Sequence, residues 1–238
     1  HFPSHAGKIY FARFGLGFID VTEKKKEKFN KDDVKSRLGI PDCKIIITCA
    51  YNGSEGQQHL KIIDALAKLP NGIKDDIYLL FPMTYGGNAN YFTEVNLQLE
   101  KAGIKYKIIR NYLSEDELAE LRLLSDIVVN IQITDGFSAS IQESLFSGNV
   151  LIVGDWLPYA ELEQWGIHYI KTSLINLHDV IRNTIKDIEY HKNESSKNPD
   201  IIKRNSSWSA VMKDIINAYD CGDLIEQGKA AFNADLVQ

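Results

Sequence analysis

Two carboxylates, Asp135 and Glu143, stand eight residues apart around the small-residue stretch Gly136-Phe137-Ser138-Ala139-Ser140. The segment follows an apolar run, Ile127–Ile131, and leads through Ser144–Gly148 to a second one, Val150–Val153. An acid–Gly pair followed by small residues reads as a loop that opens a helix. The first turn of a helix carries N–H groups without intrahelical partners, and the helix dipole adds positive potential there, so such a start attracts phosphate. Asp135 at the loop can accept from sugar hydroxyls, and Glu143, two turns in, can accept from a ribose diol deeper in a cleft. The chemistry indicated is the binding of a phosphorylated sugar. Plainer uses exist for the same residues: a loop-capping Asp, a surface helical Glu, and an N-cap at Ser138 or Ser140.

Two more polar loops follow apolar runs, Tyr51-Asn52-Gly53-Ser54-Glu55-Gly56 and Thr84-Tyr85-Gly86-Gly87-Asn88. Gly53, Gly86 and Gly87 admit either close approach of a ligand or turns with positive φ. Asn52 and Ser54 are candidates for phosphate contact, and Thr84 and Tyr85 for the wall of a sugar pocket. His59 has the pKa range of a general acid–base group, yet it directly precedes the apolar stripe Leu60, Ile63, Leu66, Ala67, where a packed histidine is expected. Trp156 and Tyr159 either shape a cleft or pack inside. The three cysteines, Cys43, Cys49 and Cys221, lack metal-ligand spacing and read as plain thiols. No Ser-His-Asp or His-Glu-x-x-His pattern argues for a hydrolase or a zinc enzyme, and no metal site is expected.

The elements that must position these residues alternate along the chain. Strands are expected over 44–50, 76–83, 105–109, 127–131, 150–153 and 168–170. Helices are expected over 32–38, 60–67, 90–102, 115–124, 138–147, 158–163, 174–190 and 208–219. Ser114 and Glu117 have the spacing of a capping box. Residues 8–21 read as a strand and turn, 23–28 as a solvated linker or helix face, 191–207 as a polar loop, and 222–238 as helical or frayed. The alternation predicts an α/β fold with a doubly wound, Rossmann-like parallel sheet. Ligands bind such sheets at the carboxyl ends of the strands, where the Gly- and Asp-bearing loops converge.

Composition sets outer bounds. The chain has 238 residues, is 44% hydrophobic and 25% charged, and carries a net charge of −5. The charge argues against a broad nucleic-acid-binding surface. No apolar run approaches the roughly 20 residues of a membrane-spanning helix, and no signal peptide is evident. The first residues, His1-Phe2-Pro3-Ser4-His5, read as the interior of a longer protein.

The ordered string from Asp135-Gly136-Phe137 to Glu143-Ser144-Leu145-Phe146-Ser147-Gly148-Asn149-Val150-Leu151-Ile152 resembles the C-terminal half of GT-B glycosyltransferases of family 4, or group 1. That family usually reads Glu-Gly-Phe, then Glu-Ala-Met/Leu, a small residue, Gly and an apolar strand. The resemblance covers about Lys44 to Lys171. It implies transfer of a sugar from a nucleotide-diphosphate donor, with retention and without a metal or other cofactor. By position, Asp135 contacts the donor sugar, Glu143 the ribose, and the Gly136–Ser140 backbone the diphosphate. It also implies an N-terminal domain holding the acceptor, here a saccharide or a lipid-linked one in bacterial polysaccharide synthesis. A cytoplasmic protein is implied, peripheral at the inner membrane through the rest of the polypeptide. The segments become a 1–43 interdomain lead-in, a 44–190 nucleotide-sugar-binding domain, and a 191–238 loop with C-terminal helices.

The chain departs from that pattern twice. Asp135 stands where Glu is usual. The first loop, Ala50–Gln57, lacks the Arg and Lys that clamp the diphosphate, and Arg110, ending the third strand, is a candidate substitute. This loop with Gln58-His59, the Phe81–Asn88 segment and Asn130–Gln132 resemble bacterial 4-acetamido-4,6-dideoxygalactose transferases. A sugar-nucleotide epimerase of the same architecture, which would need further acids and histidines in the cleft, and a non-catalytic nucleotide-binding or regulatory domain are the alternatives.

Overall fold

A computed structural model describes residues 12–219. The main compact unit, Phe18–Ile202, is built on one six-stranded sheet, all parallel, in the order β3-β2-β1-β4-β5-β6. Its strands are β1 (Ile45–Cys49), β2 (Ile77–Pro82), β3 (Tyr106–Ile109), β4 (Ile127–Asn130), β5 (Val150–Gly154) and β6 (Ile170–Thr172). The helices are α1 (Phe18–Lys26), α2 (Lys31–Leu38), α3 (His59–Ala67), α4 (Asn71–Asp76), α5 (Ala89–Ala102), α6 (Glu115–Leu124), α7 (Ala139–Phe146), α8 (Ala160–Gln164), α9 (Leu177–Lys186), α10 (Ile188–Glu194) and α11 (Asn198–Ser206).

The central strands are buried along their whole length, which explains why they are continuous runs of Ile, Val and Leu instead of alternating patterns. The two-residue period nonetheless sorts their side chains. Ile45, Ile47, Ile77, Leu79 and Phe81 meet α3, α5 and α9 on one face, and Ile46, Tyr78 and Leu80 meet α2 and α6 on the other. Each such side chain contributes roughly 1.5–3 kcal/mol by leaving water. The strand order reverses between β1 and β4, so the loops after these two strands diverge and leave a crevice at the carboxyl edge.

Parts of the chain differ from what the sequence suggests, α4 and the Ile170–Thr172 bounds of β6 among them. Residues 18–21 belong to α1 and not to a strand and turn; Ile19 and Thr22, three apart, face inward, and Lys24, Lys25 and Lys26 fill the last turn, where they suit the helix dipole. The amino-terminal part of that expected strand lies outside the described residues, as do Cys221 and 222–238. Residues 191–206, read as a polar loop, are helical. Their buried face contains Ser195, Asn198 and Ile202, so the helical period is written largely in polar residues. Asn198 fits there because its side chain accepts from the His168 N–H at 3.0 Å and donates to the His168 carbonyl at 2.8 Å. The helix expected over 174–190 breaks at Asp187 into α9 and α10.

The second unit holds, among the described residues, 12–17 and 203–219. Within it the Leu16 N–H donates to the Ser206 carbonyl at 2.8 Å, and residues 208–219 are helical. A Cβ on Gly15 would stand 2.5 Å from Trp208 Cα, so only glycine fits. No helix among the described residues is long and apolar enough to cross a membrane.

Candidate functional site

A cleft of about 470 Å³ opens at the carboxyl edge of the sheet. Tyr51 after β1, Thr84 and Tyr85 after β2, and Tyr112 after β3 form one wall. Ser138, Ala139, Ser140 and Glu143 of α7 and Arg122 of α6 form the other.

The α7 wall is set by an unusual turn. Phe137 has φ +66°, costly for a side chain with a Cβ, and its ring is held between Tyr159 and Trp165, at centroid distances of 6.0 and 5.7 Å. Asp135 braces the same turn: its carboxylate accepts from the Gly136 N–H at 2.9 Å, from the Ser138 N–H at 3.2 Å and from the Tyr159 hydroxyl. Burial and the neighbouring Asp135 carboxylate raise the Tyr159 pKa, so this phenol stays protonated and donates. Ser138 occupies the N-cap of α7 without bonding to its first turn, so those N–H groups carry no side-chain cap. The other non-glycine residues with positive φ among those described, Ala50 and Gln58, also lie on carboxyl-edge loops. Strained backbone of this kind concentrates at functional sites.

Arg122 is the cation of this cleft. It is 3% exposed, its Nη2 donates to Ser140 Oγ and lies 3.6 Å from Glu143 Oε2, and its Nε and Nη1 have no hydrogen-bond partner among the described residues. The Asn149 side chain fixes the helix end that carries it, donating to the Arg122 carbonyl at 2.8 Å and to the Ser125 carbonyl at 2.6 Å. Burial pushes the Glu143 carboxyl above its usual range, and the Arg122 charge partly offsets this.

A groove of about 540 Å³ lies elsewhere, between α1, α2 and α6. Its Lys25 and Arg37 pair with Asp116 and Glu120.

By sequence, no protein-family model and no curated protein matches the chain. Its structure is similar to several solved ones. A glycosyltransferase from Rickettsia africae matches with a TM-score of 0.75 at 18% identity, over 90% of this chain and 57% of its own. HepE from Anabaena, solved in complex with UDP and glucose, matches at 0.68 and 16%, over 80% of this chain and 52% of its own. The isolated C-terminal domain of a group 1 glycosyl transferase, LpcC from Francisella tularensis, matches at 0.62 and 16%, over 75% of this chain and 93% of that domain. The chain has the fold of the C-terminal half of a GT-B glycosyltransferase. It spans about half the length of the first two proteins.

Within this GT-B half the sequence-derived candidates fall into three groups. Thr84, Tyr85, Ser138, Ala139, Ser140 and Glu143 come together around the cleft. Asp135, Gly136 and Phe137 shape the turn that aims α7, and Asp135 is not among the residues lining the cleft. Asn52, Gly53, Ser54 and Gly86 pack the two glycine loops together: Asn52 Oδ1 accepts from the Ser54 N–H at 2.9 Å, Ser54 Oγ accepts from the Gly56 N–H at 3.3 Å, and the Gly53 N–H donates to the Tyr85 carbonyl at 2.7 Å. Arg110 stands apart, exposed, with its guanidinium stacked 4.3 Å from the Phe92 ring centroid. Trp156 also serves the loops, donating to the Gln132 carbonyl at 3.0 Å.

Sequence reading missed Arg122, which looks like one more charge on an amphipathic helix. The available signal was its spacing: Arg122 falls one turn after Leu118, between Leu121 and Leu124, on a side that an exposed charge would not occupy.

His59 is a packed residue, fully buried, with Nδ1 3.1 Å from the Tyr91 hydroxyl, and burial lowers its pKa to about 4. Neutral in the folded chain, it binds a proton more readily when unfolded. Stability therefore falls as pH drops from about 6.5 toward 4, by up to ~3 kcal/mol from this residue. Urea titrations at pH 7 and pH 4.5 on the chain and on His59→Gln check this: the substitution should flatten the difference between the two pH values.

Proposed function

We propose that the chain is the donor-binding half of a glycosyltransferase, holding a nucleotide-diphosphate sugar in the cleft between the α7 and β2 loops. The observation that carries this is Glu143, a carboxylate one and a half turns inside α7, set beside the uncapped first turn of that helix in a cleft at the sheet's carboxyl edge. In this reading Glu143 accepts from the ribose hydroxyls, and the α7 N–H groups take the diphosphate. Those groups also stabilise negative charge as the diphosphate departs. Asp135 keeps the turn in place and has acceptor capacity left for a donor-sugar hydroxyl. Residues 44–190 form the nucleotide-sugar-binding domain, and a second domain brings the acceptor, a saccharide or lipid-linked sugar, as the half-length matches to HepE and the Rickettsia protein support.

The order of residues from Asp135 to Ile152 supports a group 1-like transferase, and the first two loops support kinship with the 4-acetamido-4,6-dideoxygalactose transferases. Retention and metal independence follow from the same kinship. An epimerase is less well supported: among the described residues the cleft lining holds one carboxylate, Glu143, and no histidine.

Calorimetric titration of the chain with UDP, GDP and dTDP tests the reading. One of the three should bind with a dissociation constant in the micromolar range, corresponding to about −8 kcal/mol at 1 μM. Failure of all three to bind contradicts it.

A further inference from the structure

We propose that Arg122 supplies, from α6, the positive charge for the nucleotide's diphosphate, in place of a cation on the first loop. The proposal rests on the donor-half reading above and adds a contact and a residue to it. The first loop, Ala50–Gln57, contains no Lys or Arg. Arg110, the nearest candidate by sequence, is spent on Phe92 and does not line the cleft. Among the described lining residues Arg122 is the one cation.

Its environment is incomplete in a specific way. A buried guanidinium is retained where its donors meet acceptors, and unmade donors are costly. Here Nη2 serves Ser140 and Glu143, while Nε and Nη1 have no partner among the described residues. Ser140 lies in the first turn of α7, an eight-residue helix whose N-terminus carries no side-chain cap. The guanidinium and the free N–H groups of that turn are thus neighbours, joined through Ser140. Two sets of donors on one spot of a cleft suit an acceptor with several oxygens and more than one negative charge, which a diphosphate provides and a neutral sugar or base does not. Ser140 and Glu143 hold the guanidinium through Nη2, while Nε and Nη1 are buried without a partner among the described residues, beside the cleft that Arg122 lines.

The test titrates the chain, Arg122→Met and Arg122→Lys with UDP, GDP and dTDP and with the matching nucleosides uridine, guanosine and thymidine, with urea unfolding as the control for folding. Arg122→Met should weaken the diphosphate that binds by ~10–100-fold, the worth of hydrogen bonds to a charged group, and the nucleoside, whose ribose meets Glu143 beside it, far less. Arg122→Lys should fall between. Equal diphosphate affinity in Arg122→Met and the parent chain overturns the proposal and leaves the donor-half reading standing. So does a parallel loss of nucleoside and diphosphate, which would place Arg122 at the base or ribose. If Arg122→Met does not fold, Arg122→Lys decides: a lowered ratio of diphosphate to nucleoside affinity supports the proposal, and an unchanged ratio contradicts it. A parent chain that binds none of the three diphosphates overturns both.

Discussion

Glu143→Ala is expected to weaken nucleoside diphosphate binding by ~30-fold or more and to lower folding stability by ~2–4 kcal/mol. The first effect comes from the ribose. Two hydroxyls that donate to a half-buried carboxylate each lose a charge-assisted bond when it is removed. The second comes from Arg122, which is 3% exposed and would keep its charge with only Ser140 beside it. The two effects separate. Glu143→Gln retains an acceptor for Arg122 and should recover much of the stability while binding stays weak. The double substitution Arg122→Met/Glu143→Ala removes the buried charge altogether and should likewise be more stable than Glu143→Ala alone, again without recovering affinity. Calorimetry and urea unfolding on the four chains check this. Because burial raises the Glu143 carboxyl, affinity should also decline as pH falls through a value above the ordinary carboxylate range.

Gly87→Ala is expected to cost ~3 kcal/mol or more of stability and to weaken nucleotide binding, although Gly87 itself does not line the cleft. Its φ is +74°, and a Cβ there would stand 2.2 Å from the Gly53 carbonyl oxygen, an overlap that only loop separation relieves. The counterpart on the first loop is also too close, though less so: a Cβ on Gly53 would stand 2.9 Å from the Gly86 carbonyl oxygen. Parting the loops stretches the Gly53 N–H bond to Tyr85 and moves Tyr51, Thr84 and Tyr85, three residues of the cleft wall. Gly103→Ala is the control. Its φ is +65° but nothing lies within 4 Å of the added Cβ, so it should cost only the ~1 kcal/mol of the backbone strain. Equal unfolding free energies for the two variants would show that the loops are not packed as described.

The strands were legible because a parallel sheet buried on both faces demands unbroken apolar runs, and Ile45-Ile46-Ile47 or Leu79-Leu80-Phe81 satisfy that demand locally. Turns with glycine at the end, such as Gly148 with φ +86° after α7, were legible for the same local reason. The less legible parts depend on distant partners. Asn198 is buried because the His168 backbone meets both ends of its amide. Arg122 is buried because Ser140 and Glu143 come to it from another helix. The two glycine loops had two readings in sequence, ligand approach or loop geometry, and the contact between Gly53 and Gly87 accounts for their glycines through loop packing. At Asp135 the string of residues pointed to the right turn, and the structure adds that the carboxylate is occupied in shaping it.

A crystal structure of the chain with its preferred nucleoside diphosphate tests where the nucleotide sits. The ribose diol is expected within hydrogen-bonding distance of the Glu143 carboxylate and the diphosphate against the first turn of α7. A nucleotide seated elsewhere, as in the groove between α1, α2 and α6, with Glu143 touching only Arg122, would contradict this placement.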